Sequence, residues 1–267
     1  MSLRINNNIE AFNAHRQLTA TSNNVQKSME RLSSGSRINR AADDAAGLAI
    51  SEKLRGQIRG LSQAQRNAQD AVSLVQTAEG SLSEVHSMLQ RVRELAVQYK
   101  AGTLSTSDQA AITAEATQLL SEIERIGSAA EFNGIKLLDG TAGTSGKIDF
   151  QVGANDDDST ISVTTESLAT TVGSITVDGD IADIDTAIEK VSSLRGTFGA
   201  VQNRLEHTLG NLATYQENLM ASESRIRDVD MAAEMVNFSK NQILQQAGTS
   251  MLAQANQAPQ GVLSLLR

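Results

Sequence analysis

One position in the C-terminal half of the chain returns every seven residues and is apolar each time: Ile184, Val191, Phe198, Leu205, Leu212, Leu219 and Ile226. Few patterns constrain a fold as tightly. An α-helix has about 3.6 residues per turn, so a strict seven-residue repeat stays on one face only if helices wrap one another with a left-handed twist. A second seam is partial, with Ile181, Ile188 and Leu209 apolar and Arg195 and Gln202 between them. The N-terminal half repeats the pattern at Leu54, Leu61, Ala68, Val75, Leu82, Leu89 and Ala96, with Ile58 and Val72 alongside. The single proline, Pro259, lies close to the C-terminus, so nothing upstream of it interrupts a long helix. A helix from about Ala45 to Lys100 would be roughly 85 Å long. The expectation is a rod.

A third helix follows the break at Ala101-Gly102. Ser105, with Asp108 three positions on, has the form of an N-cap. Ile112, Ala116, Leu119, Ile123 and Ile126 form one apolar face, and Gly127 is read as its end. Three such stripes cover each other as a small antiparallel bundle. Eight of the 19 glycines then fall between Gly127 and Gly179, which marks an insert of turns and strands. Ile148, Phe150 and Val152 alternate in one run, and Ile161 and Val163 in another across the polar turn Gly153–Asp158. Ile175 and Val177 suggest a third strand. The predicted fold is mainly α: a long antiparallel helical bundle or coiled-coil rod with a small β-hairpin insert at about 140–180.

The chain ends carry sparser stripes. Ile5, Ile9, Phe12, Leu18, Val25, Met29 and Leu32 line one end. Met231, Met235, Phe238, Ile243, Ala247, Met251 and Leu252 line the other, before Val262, Leu263, Leu265 and Leu266. Each is one amphipathic helix with no neighbour in sequence to cover it, and isolated helices are marginal in water. Two outcomes are open: the ends pair with each other, or they order only when a partner covers them. Charge favours pairing modestly, since residues 1–40 hold six Lys/Arg against two Glu, and 228–267 hold two against three acids.

Composition narrows the function. With no Cys, disulfides, zinc ribbons and thiol catalysis are excluded. The net charge of -8 argues against nucleic acid as main partner. No stretch reaches the ~20 apolar residues of a membrane span, and the N-terminus lacks the apolar core of a secretory signal. Aromatics are only 3%, with no Trp, less bulk than a compact enzyme core commonly uses. His15, His86 and His207 are far apart and form no metal-binding pair, and His-Glu-x-x-His, Gly-x-Ser-x-Gly and phosphate-cradling loops are absent. Asp156-Asp157-Asp158 lacks calcium-loop spacing, so no cofactor or metal is expected and no enzymatic role.

The ends also carry specific motifs. Leu3-Arg4-Ile5-Asn6-Asn7-Asn8-Ile9, the run from Leu32-Ser33-Ser34-Gly35-Ser36-Arg37-Ile38-Asn39-Arg40 through Asp43-Asp44-Ala45-Ala46-Gly47, Phe132-Asn133-Gly134, and Gln242-Ile243-Leu244-Gln245-Gln246-Ala247-Gly248-Thr249 with the ending Leu263–Arg267 resemble bacterial flagellin. Only about residues 140–180 lack a pattern that aligns. The resemblance implies a secreted structural subunit that polymerises into the flagellar filament, a short form without large outer domains. It implies that residues 1–44 and 228–267 pair as an inner coiled coil on assembly, and that 45–180 and 181–227 form the bundle of the next layer. The polymerisation residues are then Ile5, Ile9, Phe12, Leu18, Val25, Met29, Leu32, Met235, Phe238, Ile243, Met251, Leu263, Leu265 and Leu266.

Family resemblance further implies export through the flagellar type III apparatus without a cleaved signal peptide. Its partners would be an export chaperone, hook-associated junction and cap proteins, and other copies of the chain. Two classes of host receptor would also read it: Toll-like receptor 5, through Gln90, Arg91, Leu95 and Glu115, and inflammasome receptors, through the terminal helix. Arg91 and Leu95 are one helical turn apart and are expected on an exposed face. The bland alternative is a helix whose Leu89, Val92 and Ala96 pack inward and whose charges are solvated. Rival readings are a hook–filament junction protein, which shares the paired-helix plan, a coiled-coil receptor rod, and an enzyme on a helical scaffold.

Overall fold

A computed structural model describes residues 8–143, 146–155, 159–173 and 175–265, with side chains as far as residue 257. The elements in chain order are α1 (Ile9–Ser34), α2 (Ala45–Tyr99), α3 (Thr106–Ala129), β1 (Glu131–Phe132), β2 (Ile135–Lys136), β3 (Lys147–Gln151), β4 (Thr160–Thr164), α4 (Leu168–Val172), α5 (Ile181–Arg227) and α6 (Met231–Leu265). Two compact units result. The central unit comprises residues 57–218, and the terminal unit is built from the described parts of 1–56 and 219–267.

In the central unit, α2 presents more than a narrow seam. Leu61, Ala68, Val75, Leu82, Leu89 and Ala96 are buried as the heptads predict. So are Ala64, Ala71, Ala78, Val85 and Val92, a parallel line three residues on. The small alanines let the covering elements approach closely, while the larger residues fill the space beside them. From α5, Ile184, Val191, Phe198, Leu205 and Leu212 are buried, joined by Ala187. Ion pairs cross the same surface: Arg195 with Glu79 at 2.8 Å, and Arg93 with Asp185. Arg195 thus interrupts the second seam of α5 without leaving a charge unpaired.

The start of α3 follows the sequence closely. The Ser105 hydroxyl accepts from the Asp108 N–H while the Asp108 carboxylate accepts from the Ser105 N–H, a full capping box. Its end does not. The helix continues through Gly127 to Ala129, with Ala130 as C-cap. Gly127 is instead a contact point: a Cβ there would lie 3.2 Å from the Leu168 Cβ on α4. The glycine serves close packing, not termination.

Past α3, Asn133 (φ 52°) and Gly134 (φ 78°) make the two-residue left-handed turn that joins β1 to β2. Strands β3 and β4 pair antiparallel, with Ile148 opposite Val163 and Phe150 opposite Ile161. Ile148, Ile161 and Val163 are buried and Phe150 packs at the edge of the core. The expected third strand does not form. Ile175 and Val177 are buried, but in irregular backbone leading to α5. In its place the short helix α4 buries Leu168 and Val172.

In the terminal unit, α1 and α6 pack along each other antiparallel. Three contacts fix the register: the Asn8 side-chain amide donates to the Ala255 carbonyl at 2.7 Å, Leu18 lies against Gly248, and Arg31 pairs with Glu234 at 3.7 Å. A Cβ on Gly248 would sit 3.3 Å from Leu18 Cδ1, so the glycine permits the close approach. Of the two outcomes left open by the sequence, pairing is the one observed.

The connector from α1 to α2 accounts for the motif at 32–47 residue by residue. Gly35 takes the left-handed C-cap conformation (φ 71°), and its N–H donates to the Arg31 carbonyl. Arg37 donates from its N–H to the Arg227 carbonyl and from its guanidinium to the Ile226 carbonyl. Ile38 is buried. The Asp43 carboxylate accepts from the N–H groups of Asn39 and Arg40, and these bonds, Arg40's first, hold its pKa below the usual value. Asp44 accepts from the Gly47 N–H at 2.8 Å and so caps α2.

Candidate functional site

The facing positions of the α1–α6 pair are modest. From α1 they are Ala11, Ala14, Leu18, Thr21, Val25, Ser28 and Leu32, and from α6 Glu234, Phe238, Asn241, Gln245, Gly248, Leu252 and Ala255, all at least partly covered. Small and polar groups dominate this seam. Other large apolar residues of both helices point elsewhere. Phe12 is 73% exposed and Ile243 66%, and Ile9, Met29, Met231, Met235, Val236, Leu244 and Met251 are also exposed.

The stripe read from sequence on α6 is therefore split. Phe238 and Leu252 face α1, whereas Met235, Ile243 and Met251 are exposed on a row of four-residue steps through Ser239 and Ala247 that winds about 160° round the helix. On α1, Leu18, Val25 and Leu32 are half-buried, and Ile9, Phe12 and Met29 are exposed. Ile5 lies outside the described residues, as do the side chains of Leu263, Leu265 and Leu266. Exposed apolar residues in such number on one pair of helices mark a surface made for association.

The second candidate patch is in the central unit. Arg91 Nη2 lies 3.0 Å from Glu115 Oε1 on α3, and Nη1 lies 3.0 Å from Glu94 Oε2. These hydrogen bonds, Glu94's first and then Glu115's, hold the guanidinium's pKa above its ordinary value. Arg91 and Glu115 are about half-exposed and Glu94 more so. Gln90 is exposed one residue away, its side-chain amide 2.9 Å from His86 Nε2. Leu95 corrects the expectation that it shares this outer face. It is 1% exposed and belongs to the core with Leu74, Leu89 and Val92. Four residues advance an α-helix about 40° past a full turn. At the edge of so broad a buried face, that rotation carries a side chain from solvent into the core.

Among the described residues, no group of three His, Asp or Glu side chains is placed to hold a metal ion. His15 is exposed on α1, His86 is half-covered on α2, and His207 lines an open groove of 530 Å³ with Arg204, Tyr215 and the β3–β4 hairpin. Asp156, Asp157 and Asp158 lie outside the described residues. No described helix is long and apolar enough to cross a membrane.

Long paired helices, a tightly packed helical core and an uncovered apolar surface at the paired ends define a structural subunit of the kind that assembles with copies of itself. Comparison with known proteins gives the family. The bacterial flagellin N-terminal helical region matches residues 5–143, and the flagellin C-terminal helical region matches 181–266. The chain is 54% identical to a flagellin of Halalkalibacterium halodurans, over 98% of this chain and 99% of that one. It is 50% identical to a flagellin of Bacillus subtilis, over 99% of this chain and 100% of that one. The crystal structure of Bacillus cereus flagellin superposes with a TM-score of 0.50 at 35% identity, covering 55% of this chain and 88% of that chain. A putative flagellar hook-associated protein from Vibrio parahaemolyticus shares the fold at a TM-score of 0.54, but only 15% identity, over 68% of this chain and 100% of that one. The chain belongs to the bacterial flagellin family, and its function is that of a structural subunit of the flagellar filament.

Proposed function

We propose that the subunit polymerises chiefly through the outward faces of α1 and α6. Residues 1–44 and 228–267 would form the inner layer, with the bundle of 45–180 and 181–227 outside it. The supporting observation is that Phe12, Met29, Met235, Ile243 and Met251 stay exposed after the two helices have paired. Burying such side chains stabilises association at roughly 25 cal/mol per Å² of apolar surface. Ile5, Leu263, Leu265 and Leu266 would extend the same surface, while Leu18, Val25, Leu32 and Phe238 hold the pair itself together.

Deletion of residues 228–267 tests this reading. The truncated chain should add no length to filament seeds under the electron microscope, while circular dichroism shows the central bundle still helical. Normal filaments from it would refute the assignment. Replacing residues 154–159 with a short turn should leave assembly intact.

The chain's other proposed partners follow from its family. Before assembly, the apolar terminal helix is the natural hold for an export chaperone, with export through the flagellar type III apparatus and later contact with junction and cap proteins. In a host, the same helix would be read by inflammasome receptors. Toll-like receptor 5 would bind the Gln90–Arg91–Glu115 patch. Support for that patch is its exposed, pre-formed Arg–Glu pair, since a planar guanidinium presents a fork to carboxylate or carbonyl groups. In this account Leu95 contributes from beneath, by fixing the helix that carries Arg91. Reporter-cell dose curves for Arg91→Ala and Glu115→Ala with unchanged circular dichroism should show weakened signalling, and parent-like curves would remove the patch from the account.

A further inference from the structure

Methionine is distributed unevenly over the two units. Of the six methionines among the described residues, Met29, Met220, Met231, Met235 and Met251 belong to the terminal unit, and each is between 46 and 64% exposed. The central unit, 162 residues long, has only Met88, which packs against the core. Three of the exposed five lie on α6, one on α1 and one near the end of α5. The Arg31–Glu234 pair sets Met29 and Met235 at neighbouring levels of the antiparallel helices. Met235 and Met251 are exposed on either side of Ile243 on α6. The thioethers of Met29, Met231, Met235 and Met251 are thus open to solvent on α1 and α6, the helices assigned above to subunit–subunit contact, and that of Met220 is open on α5.

We propose that the four methionines of α1 and α6 are a peroxide-sensitive modification site that gates assembly of the free subunit. The reaction is two-electron oxygen transfer. The thioether sulfur attacks one oxygen of hydrogen peroxide, the O–O bond breaks, a sulfoxide forms and the departing hydroxide takes a proton to leave as water. Sulfur is oxidised and the peroxide reduced, with no other reactant. An exposed sulfoxide is solvated, so the free subunit keeps its fold. In a subunit interface the same group must be buried, and a polar oxygen buried without a partner opposes association. Oxidation therefore acts on assembly rather than on folding, and assembly in turn shields the sulfurs. Met88 serves as internal reference, because it packs against the core of the free subunit.

This inference rests on the polymerisation reading, and the experiment separates the two. Full-length monomer is treated with dilute hydrogen peroxide, quenched, mapped by peptide mass and offered to filament seeds, beside untreated monomer and pre-formed filaments given the same peroxide. Oxygen should be found at positions 29, 220, 231, 235 and 251 of the monomer well before Met88, and in filaments far more slowly at 29, 231, 235 and 251. Elongation of seeds by treated monomer should fall about tenfold or more with circular dichroism unchanged, and return when methionine sulfoxide reductases of both epimer specificities repair the protein. A chain carrying Leu at positions 29, 231, 235 and 251 is scored only by its own treated-to-untreated ratio, which should stay near one. Undiminished elongation by fully oxidised monomer overturns the proposal, as does loss that the reductases cannot reverse or that the Leu chain shares. Untreated monomer that fails to extend seeds would instead overturn the polymerisation reading.

Discussion

Glycine within a helix is ordinarily a weakness, and its replacement by alanine stabilises an exposed site by roughly 0.5–1 kcal/mol. Gly47, in the first turn of α2, should behave oppositely. A Cβ at that position meets the Asp44 carboxylate and lies 2.8 Å from Ile38 Cδ1. Both neighbours are committed. Asp44 accepts the Gly47 N–H and thereby caps α2, and Ile38 is buried in the connector. Moving Asp44 forfeits a cap worth about 0.5–2 kcal/mol, and displacing Ile38 adds about 1–3 kcal/mol of overpacking. After the helix-propensity gain is offset, Gly47→Ala should destabilise the connector by about 1–3 kcal/mol, making local opening roughly 5- to 150-fold more frequent. Hydrogen exchange read by mass spectrometry on peptides covering 35–56 measures that opening directly, independently of the central bundle. Gly56→Ala is the control, since nothing lies within 4 Å of a Cβ there, and it should exchange more slowly than the parent. If Gly47→Ala protects the connector as well as Gly56→Ala does, the steric and capping argument is wrong.

Leu95→Ala should cost the central unit about 2–5 kcal/mol as a buried truncation, seen as a lower denaturation midpoint, so any loss of receptor signalling by that variant reports on the fold first. A variant as stable as the parent would return Leu95 to the surface. Acid should loosen the connector. The hydrogen bond from Arg227 holds the Glu52 carboxyl below its ordinary value of 4.5, and the Arg40 N–H does the same for Asp43. Because both folded values are lowered, the stability they supply is complete above the ordinary carboxylate range and is lost as pH falls through the lower folded values. Protection across 35–56, taken as exchange relative to the intrinsic amide rate at each pH, should therefore fall at low pH, and Glu52→Gln should flatten part of that fall; a parent profile without it would rule out the pairing as a source of stability. Gly134→Ala, which puts a Cβ at φ 78°, should destabilise the β1–β2 turn by about 1–2 kcal/mol, read as faster exchange at Ile135–Lys136.

Much of the central unit was legible because large apolar side chains repeat at a fixed interval. The parts that escaped have physical reasons. Ala64, Ala71 and Ala78 form a buried line as regular as the leucine seam beside it, yet alanine is common on exposed helix faces as well as buried ones, so spacing alone does not mark it as core. Their burial widens the packed face of α2 and places Leu95 inside it. Ile175 and Val177 alternate as strand residues do because two consecutive inward positions of an irregular segment produce the same pattern. Gly127 was read through the habit of glycine at helix ends, whereas its role depends on Leu168, forty-one residues away and within reach only after folding.

The terminal helices show a different kind of limit. An apolar stripe states that a helix has a face to cover, but not which neighbour will cover it. Read singly, Met235, Phe238, Ile243, Met251 and Leu252 look like one such face. In the folded subunit the partner helix takes Phe238 and Leu252 and leaves Met235, Ile243 and Met251 in solvent. The division follows from the contacts that set the register, since Asn8, Leu18 and Arg31 fix which side of α6 is presented to α1. Small and polar residues make up most of that seam, with Leu18, Val25, Leu32, Phe238 and Leu252 as its large apolar members. Phe12, Met29, Met235, Ile243 and Met251 remain outward. A subunit built this way keeps large apolar side chains of both terminal helices uncovered after the two have packed.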